Sequence, residues 1–181
     1  MTPYETQAAE IATIKPRAFT LNLSDADTQR IYEKAYRSGT TPAAVLEGFI
    51  GDLCSGTYTH GSDERMYADQ YFERCCYDLM ADNTFLVWAL NEYQLEAIRD
   101  ELETLQFARD DIAYYEEHPD EAGEEIPDLK ATMQEAENAL QEIYSAYKKE
   151  GGQQAYNEGI DAIRRYLEEL ENMITGGRHN G

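Results

Sequence analysis

Hydrophobic residues along this chain follow two different periods. Near the N-terminus, Phe19, Leu21 and Leu23 alternate with polar residues. A period of two places the three apolar side chains on one face of an extended segment, so it predicts a β-strand. Farther along, apolar residues recur every three or four positions, which predicts amphipathic helices that bury one face.

Two helices are predicted directly after the strand. Ser24 has the hydroxyl that caps a helix, and Asp27 three residues later completes a capping-box pattern, so the first helix covers about 25–38. Thr41 caps the second helix, and Pro42 takes its first position, where a missing N–H costs nothing. The apolar side of this second helix consists of Val45, Leu46, Phe49, Ile50 and Leu53.

The order strand, helix, helix over residues 17–53 resembles the ribbon-helix-helix family, which includes small DNA-binding repressors. In that family two strands from two subunits pair into a ribbon that enters the major groove. The resemblance implies a homodimer whose DNA-facing residues are Lys15, Arg17, Thr20, Asn22, Ser24 and Thr41. The three strand residues would face the bases, and the N-terminus of the second helix would face a phosphate. Because the strand residues are short and neutral, a module kept only for folding or dimerisation is the alternative.

Helical periodicity dominates the chain after residue 61. Ser62 caps a third helix, in which Ala68 and Cys75 share one face, so we expect the Cys75 thiol in a core. The apolar run 85–90 contains the single tryptophan and leads into a helical stretch. We therefore expect this run to form part of a helix and of the core.

Three long helices are predicted next, over about 92–117, 128–150 and 154–175. Each has an apolar seam with spacings of four and three residues, which is typical of coiled-coil packing. We expect the seams to bury one another within one chain, with assembly between chains as the alternative. The predicted fold is mainly α: a short N-terminal strand with two helices in residues 1–60, followed by an antiparallel helical coiled-coil bundle in 61–181.

The net charge of −21 is unevenly distributed. Residues 1–60 carry five basic and seven acidic side chains, whereas residues 61–181 carry ten basic and 29 acidic ones. The two parts therefore have net charges of −2 and −19. The C-terminal part should repel nucleic acid and anionic membranes and attract a strongly basic partner. A merely soluble surface is the alternative explanation.

The sequence contains no recognisable catalytic or metal-binding motif. His60, His118 and His179 lie in predicted loops or the tail, and none has a cysteine or carboxylate at ligand spacing on a helix; no phosphate-binding glycine loop or nucleophile elbow is present. The three cysteines form no disulfide framework, and neither a signal peptide nor a membrane-spanning run is evident. We therefore expect a cytoplasmic protein that is not an enzyme and needs no metal or cofactor.

Carboxylates concentrate around the break between the first two long helices. The candidate partner-binding residues are Tyr114, Tyr115, Glu116, Glu117, Asp120, Glu121, Glu124 and Glu125. Tyrosine beside carboxylate suits a protein-binding surface, because the ring supplies rigid contact area and the carboxylates supply charge. A solvated turn is the alternative.

Two stretches, GFIGDLCSGTYTHGSDERMYADQYFERC at 48–75 and YYEEHPDE at 114–121, resemble anti-CRISPR proteins of the type II-A class. The resemblance implies direct binding to a guide-RNA-loaded DNA nuclease and inhibition of its activity. Such nucleases hold nucleic acid in a positively charged channel, which an acidic helical rod would occupy as a DNA mimic. The alternatives are a ribbon-helix-helix transcriptional regulator with a helical dimerisation or effector domain, and a coiled-coil scaffold.

Overall fold

The computed structural model describes residues 3–57, 59–75, 77, 81–120 and 125–175. This part of the chain forms eight α-helices: α1 (Pro3–Ala12), α2 (Asp25–Arg37), α3 (Pro42–Leu53), α4 (Ser62–Arg74), α5 (Phe85–Asn91), α6 (Leu95–Glu117), α7 (Glu125–Lys149) and α8 (Tyr156–Thr175). The chain divides into two compact units, Met1–Ala81 and Asp82–Gly181, hereafter the first unit and the second unit. Among the described helices, none combines the length and apolar character that crossing a bilayer requires.

The β-strand predicted over residues 19–23 is wrong. Residues 14–24 connect α1 to α2 in neither a helix nor a strand, and the described part of the chain contains no strand at all. A strand persists only where its backbone N–H and C=O groups pair with a second strand, and the described residues supply none. The ribbon-helix-helix-like module is therefore not formed, and the described chain is all-helical.

The two helices predicted after that segment are confirmed, together with their caps. The backbone N–H of Asp27 donates to Ser24 Oγ at 3.1 Å, and that of Ala44 donates to Thr41 Oγ1 at 3.2 Å. These bonds satisfy N–H groups that the first turn of a helix leaves unpaired. Gly39 follows α2 with a φ of 70°, the left-handed geometry that glycine adopts without strain.

The first unit has a small interior. Its buried residues, within the part that is described, are Ala35, Gly51, Asp52 and Ala68. α3 packs against α4, where the rings of Phe49 and Tyr71 meet edge to face with centroids 5.8 Å apart. The prediction that Cys75 is a core residue is wrong: α4 ends at Arg74, and the Cys75 side chain is exposed.

The second unit contains the hydrophobic core. α6 and α7 pack along their length as a helical hairpin, and α5 and α8 complete the bundle. The buried cluster consists of Phe85, Trp88, Ala89, Ile98, Leu102, Leu105, Ala136, Leu140, Tyr147, Ile160 and Ile163. These residues occupy the predicted seams and the apolar run 85–90, so the predicted helical periodicity is confirmed. The seam of α8 is buried only in its first half, because Leu170 and Ile174 remain exposed.

Hydrogen bonds fix α5 to the turn between α7 and α8. The Tyr147 hydroxyl donates to the Asn83 carbonyl at 2.8 Å and accepts from the Gln154 N–H at 3.0 Å. Trp88 Nε1–H donates to Glu150 Oε2 at 2.8 Å. Polar atoms that would otherwise be costly to bury are thus paired, and the bonds of Trp88 to Glu150 and of Tyr147 to Asn83 span more than 60 residues of sequence. This network and the core together give the second unit a defined scaffold for its surface.

Candidate partner-binding surface

The residues predicted to face DNA are all exposed: Lys15, Arg17, Thr20, Asn22, Ser24 and Thr41. Two of them have a structural role, since the Ser24 and Thr41 side-chain oxygens accept the capping hydrogen bonds of α2 and α3. The Ser24 hydroxyl also donates to Asp27 Oδ2 at 2.7 Å. A paired ribbon is what would present such residues to a major groove, and none occurs in the described residues. The regulator hypothesis therefore has no reading surface here.

The predicted acidic cluster lies at the C-terminal end of α6, in the link that follows and at the start of α7. Its described members are Tyr114, Tyr115, Glu116, Glu117, Asp120 and Glu125, while Glu121 and Glu124 lie outside the described residues. All the described members are exposed except Tyr115, which is half-buried. The last turn of α6 contains no basic residue. Because a helix C-terminus favours cations, Glu116 and Glu117 do not stabilise α6.

Aromatic rings pack together at this end of α6. The rings of Tyr114 and His118 are stacked, with centroids 4.3 Å apart and planes 19° apart, and Tyr115 meets Tyr114 edge to face at 5.5 Å. His118 Nδ1–H donates to the Tyr114 carbonyl at 2.9 Å, because a carbonyl oxygen can only accept. The ring pair is therefore held by a hydrogen bond to the backbone as well as by stacking, and it lies beside the carboxylates.

A stripe along the outer face of α6 continues from this cluster. Its positions recur at spacings of four and three residues, so they lie on one side of the helix: Glu96, Asp100, Glu103, Phe107, Asp110, Tyr114 and Glu117. Each is exposed, and Phe107 exposes 66% of its surface. We call these seven residues the outer stripe. The sequence predictions for this helix covered the apolar seam and the residues from Tyr114 to Glu117, but not the rest of the stripe, although its spacing equals that of the seam.

The two halves of the outer stripe differ in how their charge is compensated. In the N-terminal half, the Arg99 guanidinium lies 3.1 Å from Asp100, 3.6 Å from Glu96 and 3.6 Å from Glu103. Asp100 above all, and the two glutamates to a smaller extent, raise the pKa of Arg99. In the C-terminal half, Asp110 accepts a hydrogen bond only from the neutral Gln106 amide, at 2.8 Å, among the described contacts. Negative charge is therefore least compensated where the aromatic rings are.

The rest of the second unit is also strongly acidic. It contains eight basic and 24 acidic residues, a net charge of −16. Of the 22 acidic residues that the structure describes there, none is buried. Exposed carboxylates with few cations near them create a negative potential that extends about one Debye length into solution. The whole unit would thus attract a basic surface, with the outer stripe as its most aromatic part.

A separate polar cluster in the first unit was missed by the sequence predictions. The buried Asp52 carboxylate accepts hydrogen bonds from the Thr59 hydroxyl at 3.0 Å, the His60 backbone N–H at 2.7 Å and His60 Nδ1–H at 2.8 Å. The backbone bond from His60 is the main reason why the pKa of Asp52 is lowered. The His60 ring packs on Gly48, where an added Cβ would lie 2.6 Å from the ring. These bonds close a loop of the first unit, which is a structural role.

A cleft of about 670 Å³ lies between α6, α7 and α8. Its walls carry both Arg109 and Glu137, whose side chains lie 3.9 Å apart. Tyr156 also lines the cleft, and its pKa is raised mainly by burial and secondly by the negative charge of Glu137. Because charges of both signs line the cleft, it favours neither an anion nor a cation. It therefore does not define a ligand class.

No group of three or more metal-ligating side chains that could hold an ion occurs among the described residues. No protein-family model, curated protein or solved structure matches this chain. The surface geometry itself is thus the basis for a functional hypothesis.

Proposed function

We propose that this protein inhibits a CRISPR RNA-guided DNA nuclease by direct, non-catalytic binding, with its acidic second unit competing for the site that DNA occupies. The observation that carries the proposal is the outer stripe of α6, where exposed carboxylates alternate with the exposed Phe107 and Tyr114 rings. The partner is the effector nuclease of a type II-A system loaded with its guide RNA, as the sequence resemblance implies. This protein and the nuclease would meet in the bacterial cytoplasm, where the free thiols of this chain stay reduced.

Charge alone would not displace DNA from such a nuclease. The outer stripe holds five carboxylates over the 22 residues from 96 to 117, which span roughly 31 Å of helix. One DNA strand carries a phosphate about every 3.4 Å along the axis, so the stripe has about half that charge density. The carboxylates would therefore speed the encounter and orient the proteins, while other contacts must provide most of the affinity.

Phe107 and the ring pair of Tyr114 and His118 are suited to provide that affinity. Binding energy at protein interfaces concentrates in a few large side chains that become desolvated at the centre of the contact. Phe107 does not contribute to the core. The core residues of α6 are Ile98, Leu102 and Leu105, which lie on the other side of the helix. An exposed phenylalanine between the carboxylates of Glu103 and Asp110 suits a basic channel with an apolar recess.

Charge reversal at Asp110 and Glu117 in the C-terminal half of the stripe, together with the neighbouring Glu116, tests this proposal. The test variant is Asp110→Lys, Glu116→Lys, Glu117→Lys, and the measurement is inhibition of DNA cleavage by the guide-loaded nuclease over a range of salt concentrations. We expect inhibition to weaken about 10- to 100-fold, because association slows and carboxylate contacts are replaced by repulsion. The wild-type effect should fade as salt rises.

The matched control variant is Glu135→Lys, Glu142→Lys, Glu169→Lys, which changes the net charge equally at exposed positions of α7 and α8. It should inhibit within about threefold of wild type, since long-range charge affects mainly the association rate. Equal losses in both variants would show a nonspecific charge effect and contradict the role of the stripe. A wild-type protein that neither binds nor inhibits the nuclease, with or without guide RNA, would refute the proposed function.

A single substitution tests the aromatic anchor separately. Phe107→Ala should weaken binding to the nuclease by about 30-fold or more, which is the loss typical of a central aromatic contact. Tyr93→Ala is the control, because Tyr93 is the most exposed large aromatic of the described residues and lies outside the stripe. Binding constants from calorimetry or biolayer interferometry would distinguish the two. A similar effect of both substitutions would mean that Phe107 is not an anchor.

A further inference from the structure

Apolar side chains of the first unit are left uncovered to an unusual degree. Seven of them are concentrated in two places, the segment before α2 and one side of α3: Phe19, Leu21, Leu23, Val45, Leu46, Phe49 and Ile50. Each exposes between 40 and 68% of its surface. Soluble monomers seldom leave a set of large apolar side chains of this size open to water, and such surfaces mark protein interfaces.

We propose that these side chains face a second copy of this chain, so that the protein is a homodimer assembled through its first unit. A fully exposed side chain of this kind presents on the order of 190 Å². At the observed exposures the seven residues leave roughly 650 Å² per chain, close to the ~800 Å² that each partner buries in a standard interface. The two places together therefore expose enough apolar area for a stable dimer. The proposal requires no β-strand, since it rests on side chains alone.

The charges of α2, the helix that lies between the two places in sequence, favour a second copy over a different partner. Helix α2 carries three acidic and three basic residues, so it offers no net charge for an oppositely charged protein. Its acidic residues Asp25 and Asp27 lie in the first turn, and its basic residues Lys34 and Arg37 lie in the last turn. In a twofold contact the same surface faces itself, so two antiparallel α2 helices would place the acidic end of each beside the basic end of the other.

The overall charge distribution also limits where two copies can meet. Residues 61–181 carry a net charge of −19, so contacts between two such segments would be repulsive. Residues 1–60 carry a net charge of only −2 and contain the seven exposed apolar residues named above. An approach through this part keeps the strongly acidic segments from having to touch.

Molar mass in solution tests the proposal directly on the full chain. Light scattering coupled to size-exclusion chromatography at about 50 µM should give twice the 20.7 kDa chain mass, with dissociation on dilution. Leu21→Glu and Ile50→Glu should each weaken the dimer by about a hundredfold or more, because a carboxylate would be placed in the apolar contact. Both side chains are exposed in the single chain, so helicity measured by circular dichroism should stay near the wild-type value.

Phe107→Glu is the matched control, because it puts the same charge at an exposed apolar position of the second unit. It should leave the mass unchanged. A wild-type protein that stays monomeric at 100 µM would overturn the proposal, and so would a dimer that survives both Leu21→Glu and Ile50→Glu. Since the wild-type mass is decisive by itself, the test does not depend on the folding of any variant. The proposal is independent of the nuclease-inhibitor function, because a monomer could also bind and inhibit the nuclease.

Discussion

The two units have similar apolar contents but bury them to very different extents. The first unit has 36 apolar residues among 81, and the second unit has 40 among 100. The second unit completely buries five large side chains: Phe85, Ile98, Leu140, Tyr147 and Ile163. In the described part of the first unit, the buried apolar side chains are the two alanines Ala35 and Ala68. Composition therefore does not decide where a core forms.

Helix length and the arrangement of apolar positions account for the difference. The second unit has helices of 23, 25 and 20 residues, whose seams repeat far enough to bury one another. The helices of the first unit have 10 to 13 residues, a length at which an isolated helix is only marginally stable. The second unit is thus held by its own core, whereas the described part of the first unit is held by local caps and by the packing of α3 on α4.

The largest effect is expected from removing a central ring of the second unit. Phe85 is fully buried, and its ring centroid lies 5.3 Å from that of Tyr147 and 5.4 Å from that of Tyr144. Phe85→Ala should lower the free energy of unfolding by about 3–5 kcal/mol, since it leaves a cavity that the packed rings cannot fill. Urea denaturation followed by circular dichroism would measure the loss.

Phe107→Ala serves as the internal control for that substitution. It removes an exposed ring from the same unit, so the free energy of unfolding should change by no more than about 0.5 kcal/mol. If the two substitutions cost the same, the contrast between a buried seam and an exposed stripe on these helices would be lost.

A smaller loss should follow when the hydroxyl of Tyr147 is deleted. Tyr147→Phe keeps the ring in the core but leaves the Asn83 carbonyl and the Gln154 N–H without this partner. Unpaired polar groups in a partly buried site cost about 1–3 kcal/mol, which should appear as a lower urea midpoint. Tyr93→Phe changes a hydroxyl in an exposed position and should have no measurable effect. If Tyr147→Phe left the urea midpoint unchanged, α5 would be held by packing alone.

The features that local sequence determines were predictable. The starts of α2 and α3 follow from Ser24 and Thr41, because a cap acts on N–H groups only a few residues away. The core of the second unit follows from spacings of three and four residues within each helix. Proline also acts locally, yet α7 begins at Glu125, before Pro127, because a proline is tolerated in the first turn, where no intrahelical N–H bond is lost.

Features that depend on distant contacts were not predictable. The alternation at residues 19–23 fits a strand, but strand formation needs a pairing partner that local sequence cannot reveal. The contact between Asp52 and His60 spans a loop and depends on its closure. The outer stripe was detectable in principle, since it has the same period as the seam, but only the fold shows that Phe107 is exposed. Prediction failed where one element had to be placed against another.

The smallest effect is a local response to acid in the first unit. The pKa of Asp52 is lowered from the ordinary 3.8, mainly by the backbone N–H of His60, while burial opposes the shift. A carboxyl group with a lowered folded pKa stabilises the fold at a pH above its unfolded pKa. This contribution is lost as the pH falls through about 4 toward the lower folded pKa, because protonation removes the charged acceptor.

Amide hydrogen exchange at His60 would report this loss, because its N–H donates to Asp52 Oδ1 at 2.7 Å. Its protection factor, corrected for the intrinsic pH dependence of exchange, should fall between about pH 5 and pH 3. Asp52→Asn should show low protection throughout this range, since the charged acceptor is absent at every pH. Glu47→Gln, which changes an exposed carboxylate of α3, should behave like wild type. Core amides of the second unit at Ile98 and Leu140 should keep their protection over the same range, because the acidic residues described there lie outside the core. If those core amides lost protection together with His60, the two units would unfold as one, and the contrast between a locally held unit and a core-held unit would not stand.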